Sequence, residues 1–150
     1  MLALSPNDNT VHIYDARTWK VLHVLEEHDL LVSSIDWSPA NNKIVTCSHD
    51  RNAFVWTFMP KTNDEGEKWI KSPVHLRIDR AAMHVRWSAD GLRFAVASGS
   101  KVVPLCTWDM ENDWWTSKTI KKHKVRRVHF SCASLLCTQH APICLLSTSD

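Results

Sequence analysis

Three glycines in 150 residues are too few to build a phosphate-cradling loop, and no Gly-x-Ser-x-Gly elbow occurs anywhere. Nucleotide fingerprints and the common hydrolase nucleophile turn are therefore excluded. No run of about 18 apolar residues is present, which removes a helical membrane span. The start, Met-Leu-Ala-Leu-Ser-Pro-Asn-Asp, lacks the basic end and long apolar core of a secretory signal, so a cytosolic chain is expected. Charge of one sign is also scarce: the net value of +2 is too small to draw a nucleic acid by itself. Five cysteines, an odd number, read as reduced thiols rather than a disulfide framework. These absences argue against an enzyme, a bound cofactor or metal, and a membrane partner. What is abundant is tryptophan, eight against a single tyrosine, in a chain that is 44% apolar and 23% charged. Large flat side chains spread along a strand-rich chain suit the space between stacked sheets.

The most informative stretch is 28–56. Alternation in Val32-Ser33-Ser34-Ile35-Asp36-Trp37, a Ser-Pro-Ala-Asn-Asn turn and the apolar run Lys43 to Ser48 predict strand, turn, strand. His49-Asp50-Arg51-Asn52 then makes a tight turn into a third strand ending at Trp56. Three antiparallel strands in so short a span form a meander. Ser, His and Asp also compose a hydrolase triad, but the Asp-to-Trp spacing explains the same residues as scaffold.

These residues resemble a WD40 repeat, one blade of a β-propeller. The resemblance implies a hydrogen-bonded series of His28, Ser48, Asp50 and Trp56, in which His precedes the inner strand, a hydroxyl lies on the second, Asp in the turn and Trp on the third. Two positions depart from the family pattern, Glu27 where Gly is usual and Thr57 where Asp follows the Trp.

Sliding the sequence on itself extends the pattern. At an offset of about 42, Asp8, Ile13 and Tyr14 fall under Asp50, Val55 and Trp56; at about 50, Val85, Trp87, Ser88 and Ser98 fall under Ile35, Trp37, Ser38 and Ser48. The expected fold is all-β: a partial WD40 β-propeller of about three blades plus an incomplete fourth, with blades at about 1–25, 28–73 and 76–122 and a remnant at 123–150. Third strands should end near Tyr14, Trp56 and Cys106, each followed by an outer strand. The third unit carries Ile78, Ser100 and Cys106 where the relay would need His, Asp and Trp. Met59 to Pro73 reads as a polar connection at a blade rim, and Leu145 to Asp150 as a second strand and turn of the fourth blade.

Several longer matches narrow the resemblance. Leu-Arg-Ile-Asp-Arg-Ala-Ala at 76–82, Phe-Ala-Val-Ala-Ser-Gly-Ser at 94–100 and Glu-Asn-Asp-Trp-Trp at 111–115 occur in order with the segments above. Together they resemble subunit 1 of the actin-related protein 2/3 complex over about residues 2–122. That family implies a non-catalytic propeller that supports actin nucleation and filament branching, with the other subunits of the complex as partners. It also implies a place in the cytoplasm and cytoskeleton. Its filament-contacting insertion lies late in the propeller, so contact of this chain with actin filaments is expected to be indirect or weak. Residues 131–142 depart from the family pattern.

Two further sets invite a chemical reading. Cys132, Cys137, His140 and Cys144 could supply three thiolates and an imidazole to zinc, but the C-x4-C-x2-H-x3-C spacing is not that of a common module, and incidental cysteines are the reading adopted. Lys121, Lys122, Lys124, Arg126 and Arg127, with Lys118, form the strongest basic cluster and a possible partner-binding surface. No aromatic-interleaved pattern surrounds it, so nucleic acid is not the expected partner, and a solvated connection between blades is the simpler reading.

Overall fold

Alternation at period two dictates strands that bury one face, and turn residues at short intervals fold them back on their neighbours. The computed structural model describes residues 1–38, 40–62, 66–100 and 102–120, and the backbone of one strand near the end of the chain. In chain order the strands are β1 (Leu2–Leu4), β2 (Thr10–Tyr14), β3 (Val21–Glu26), β4 (Val32–Ser38), β5 (Lys43–Ser48), β6 (Ala53–Met59), β7 (Lys68–Val74), β8 (Ala82–Trp87), β9 (Arg93–Ser98), β10 (Val103–Asp109), β11 (Trp114–Ile120) and β12 (Ile143–Leu145). No helix occurs among the described residues.

The strands form three antiparallel sheets ordered β12-β1-β2-β3, β4-β5-β6-β7 and β8-β9-β10-β11. This is a partial propeller, each sheet a blade. Third strands contain Tyr14, Trp56 and Cys106, and outer strands follow them. The later part of the stretch expected to be a rim connection is itself the outer strand β7, paired with β6 from Ala53↔Val74 to Met59↔Lys68. Of the remnant expected as an unfinished fourth blade, Ile143–Leu145 instead pairs with β1 (Leu2↔Leu145, Ala3↔Cys144, Leu4↔Ile143) and supplies the first blade with its inner strand. A three-residue strand at such sequence separation leaves no local signal of its partner.

Packing between blades accounts for six of the eight tryptophans, Trp37, Trp56, Trp69, Trp87, Trp108 and Trp115. Ala3, Val11, Ile13, Leu25, Val32, Ile35, Trp37, Ile44 and Trp56 form one core, between the first and second blades. Val45, Val55, Val74, Leu76, Val85, Phe94, Val96, Cys106 and Trp115 belong to the other, between the second and third. Trp87, Trp108 and Phe94 stand at 5.6, 5.4 and 5.1 Å from the Trp115 ring, in tilted or edge-on pairs. Consecutive Trp114 and Trp115 point to opposite faces: Trp114 is exposed and Trp115 is 6% exposed.

Polar contacts fix how the second and third blades meet. Asp36 accepts from the Arg86 guanidinium at 2.9 Å and the Trp87 backbone N–H at 2.6 Å, while the Trp87 indole donates to the Asp36 carbonyl at 3.2 Å. At the outer turn Asn41 donates to the Gly91 carbonyl at 2.7 Å. Gly91 has φ 67°, and a Cβ there would lie 2.6 Å from the buried Ser38 hydroxyl, so only glycine fits both the left-handed turn and the close approach.

Candidate functional site

The polar constellation of the second blade is assembled by the tight turn between β5 and β6. The Ser48 and Asp50 side chains bond back to the backbone there, and Arg51 takes φ 72° to close the turn. Asp50 is brought over the segment entering β4. Its carboxylate accepts from His28 Nδ1 at 2.8 Å, the Asp29 N–H at 3.1 Å and the Asn52 N–H at 2.8 Å. The His28 and Asp50 side chains are only 2% and 5% exposed. On its other side His28 Nε2 lies 2.8 Å from Thr46 Oγ1, which also accepts from the Trp56 indole at 3.1 Å. The Phe54 ring covers His28 edge-on at 4.8 Å between centroids.

The hydroxyl between His28 and Trp56 is thus Thr46, not the Ser48 expected from the sequence. Both side chains lie on the same face of β5, since they are two residues apart. Trp56 is opposite Ile44, two residues before Thr46, which puts Thr46 within reach of the indole and Ser48 beyond it. Ser48 is engaged elsewhere, where its hydroxyl accepts the Asp50 N–H at 3.1 Å and donates to the Leu30 carbonyl at 2.8 Å. The signal available in the sequence was the Ser-x-Asp spacing, which marks Ser48 as a turn hydroxyl.

The donors and acceptors have one consistent order. Trp56 can only donate and ionised Asp50 only accept, so Thr46 donates to His28 Nε2 and neutral His28 donates from Nδ1 to Asp50. Burial lowers the His28 pKa below its ordinary 6.5, against the opposing pull of Asp50, and favours the neutral ring. Every atom of the set is committed to another, which leaves no side chain poised to attack a substrate. The buried thiols of Cys47 and Cys106 are pushed up to about 12 by burial and behave as small apolar groups.

Fifty residues on, the third blade keeps the backbone half of this device. Ser100 accepts from the Asp79 and Arg80 N–H groups at 3.2 and 3.0 Å, as Asp50 accepts from Asp29. Thr46, opposite Ile35, becomes Val96, opposite Val85, and Trp56 becomes Cys106. Of the basic cluster, Lys118 is exposed beside Arg77 in an open groove of about 750 Å³. Lys121, Lys122, Lys124, Arg126 and Arg127 lie outside the described residues, as do the side chains of the cysteine-histidine set in the tail.

Comparison with known proteins adds to this geometry. Residues 19–57 match the WD40 family, WD domain, G-beta repeat, a span that runs from the turn before β3 into β6 and includes the whole relay. Actin-related protein 2/3 complex subunit 1A of Arabidopsis thaliana is 50% identical over 125 residues, 81% of this chain and 32% of the relative. The chain is a homologue of that subunit. Subunit 1 of Schizosaccharomyces pombe is 43% identical over 116 residues, 76% of this chain and 29% of its own. Subunit 1 of Saccharomyces cerevisiae is 42% identical over 98 residues, 65% of this chain and 24% of its own. The chain therefore spans about a third of the length of the subunit 1 relatives it matches. Among solved structures, a chain in apo ctPRC2 in an autoinhibited state superposes with a TM-score of 0.60 at 19% identity, over 71% of this chain and 23% of that one. That likeness shows the propeller fold alone.

Proposed function

We propose that this chain is a non-catalytic scaffold segment of subunit 1 type in an actin-related protein 2/3 complex, where its blades hold neighbouring subunits in an assembly competent for actin nucleation and filament branching. The observation that carries the reading is 50% identity to subunit 1A over 125 residues that run through all three sheets. The architecture suits the role: rigid blades display many loops at once, and binding spread over surface needs no enclosed pocket. On this reading its place is the cytoplasm, at the cytoskeleton, and its partners are the other subunits, with actin filaments contacted indirectly or weakly. The test is affinity capture of the tagged chain from cells that contain the other subunits. Those subunits should co-elute with it. Recovery of the folded chain without them, judged by its strand-type circular dichroism, would refute the proposal.

A further inference from the structure

We propose that Ser100 is a phosphorylation site whose phosphate settles in the basic groove beside the third blade's turn. The second blade shows what this turn is built to hold. In both blades a serine hydroxyl two residues upstream accepts the turn residue's own N–H, Ser48 from Asp50 at 3.1 Å and Ser98 from Ser100 at 3.3 Å. In both, the turn side chain then accepts backbone N–H groups of the segment that enters the inner strand: Asp50 from Asp29, Ser100 from Asp79 and Arg80. Two neighbouring N–H groups aimed at one point favour an anion, yet the third blade offers them a neutral hydroxyl where the second has a carboxylate. Asp50 is buried and committed to His28, whereas Ser100 is half-buried and lines the open groove of about 750 Å³.

The groove supplies the countercharge. Arg77 and Lys118 line it, both are exposed, and neither makes an ion pair among the described residues. Asp79 is the one carboxylate among the described lining residues; it stands beside Ser100, and Arg80 and Arg51 offset its charge. Arg77 belongs to the segment between β7 and β8 and Lys118 to β11, so a phosphate held by both ties the entry of the third blade to its outer strand. Ser117, the other serine of the groove, lies within β11 and donates to the His75 carbonyl at 2.7 Å, so Ser100 alone joins a turn, N–H groups and an open face. In the transfer, Ser100 Oγ attacks the terminal phosphorus of a nucleoside triphosphate held by a protein kinase. The Oγ–P bond forms as the bond to the departing nucleoside diphosphate breaks, and the hydroxyl proton passes to the kinase's base. The phosphoryl oxygens then accept the Asp79 and Arg80 N–H groups. This modification goes beyond the scaffold reading and does not depend on it.

Two measurements on the full chain test this. Mass spectrometry of the tagged chain, recovered from cells that contain the other subunits and are treated with phosphatase inhibitors, should find phosphate on Ser100 and lose that signal in Ser100→Ala. No phosphate at this position would overturn the proposal. The second measurement uses chain with phosphoserine installed at position 100 during synthesis. At low salt its melting temperature should exceed that of the unmodified chain by about 2–4 °C, a gain that shrinks as salt is added. The gain should vanish in Arg77→Gln/Lys118→Gln, whose two substitutions are on the exposed surface and leave the unmodified chain folded by circular dichroism. A melting temperature unchanged or lowered by the phosphate would show that Asp79 repels it more than the cations hold it, and a gain that survives the double substitution would place the phosphate outside the groove; either result overturns the assignment.

Discussion

The second and third blades, offset by fifty residues, solve one structural problem in two ways. Both must hold the turn between their middle strands against the segment that enters the inner strand. The second does so with a buried polar series in which His28 and Asp50 are joined to Thr46 and Trp56. The third keeps only Ser100, which caps two backbone N–H groups, and fills the interior with Val96 and Cys106, both 0% exposed. Removing donors and acceptors together leaves nothing unsatisfied, and such a replacement can be nearly neutral, whereas removing one partner alone strands the rest at about 1–3 kcal/mol per group. The lesson is that the relay is dispensable as a set and costly in pieces, so a repeat can lose it only by several correlated changes.

The largest break in this comparison should come at the turn acidic residue. Asp50→Ala orphans three donors, two of them backbone N–H groups, and should cost about 3 kcal/mol or more, while Ser100→Ala in the third blade should cost about 1 kcal/mol. Urea denaturation of both variants checks the ratio; equal losses would mean that the buried histidine contributes nothing beyond backbone capping. Next come the reciprocal swaps at the middle of the second strand. Thr46→Val leaves the Trp56 indole without its acceptor and His28 Nε2 without its donor, and Val96→Thr buries a hydroxyl in an apolar site, so each should destabilise by about 2 kcal/mol although the side chains are nearly isosteric. Thermal melts that show either swap to be neutral would deny that the two interiors are mutually exclusive solutions. Where the blades meet, Gly91→Ala combines a left-handed backbone with the approach to Ser38 and should cost about 1–2 kcal/mol, read as a lower denaturation midpoint with unchanged slope.

The same comparison shows what a sequence can and cannot carry. Blade spacing was legible because Trp37 and Trp87, and Ser48 and Ser98, recur at one offset on strands whose alternation is plain. The relay was legible at His28, Asp50 and Trp56, whose types and spacing are distinctive. It was not legible at the hydroxyl, because Thr46 and Ser48 share a face and a chemistry, and cross-strand register, not residue type, decides which reaches the indole. The pairing of Ile143–Leu145 with β1 was invisible for a related reason: three residues are too short a pattern to choose among edges more than a hundred residues away.

The smallest expected effect is the pH dependence of the relay, and it separates the two blades cleanly because only the second contains the histidine. With His28 neutral, each link has one donor and one acceptor; protonation puts the ring's second N–H hydrogen on the previously bare Nε2, where it faces the Thr46 hydroxyl that was donating to it. Burial sets the folded-state pKa below the ordinary 6.5, so in the window between the two values the unfolded chain binds the proton and the folded chain does not. Stability therefore rises with pH across that window: the contribution of this group is complete above about 6.5, falls as the solution is acidified toward the folded-state value, and changes no further below it. The surface carboxylates Asp8, Asp15, Asp79, Asp90 and Asp109, held below 3.8 mainly by hydrogen bonds from neighbouring residues, give up their share only as the solution is acidified through 3.8 and below. Melting temperatures between pH 8 and pH 5 should drop for the parent chain and drop less for His28→Gln, which starts lower but has no imidazole to titrate in the relay. Parallel slopes for the two would deny that the relay carries the acid sensitivity.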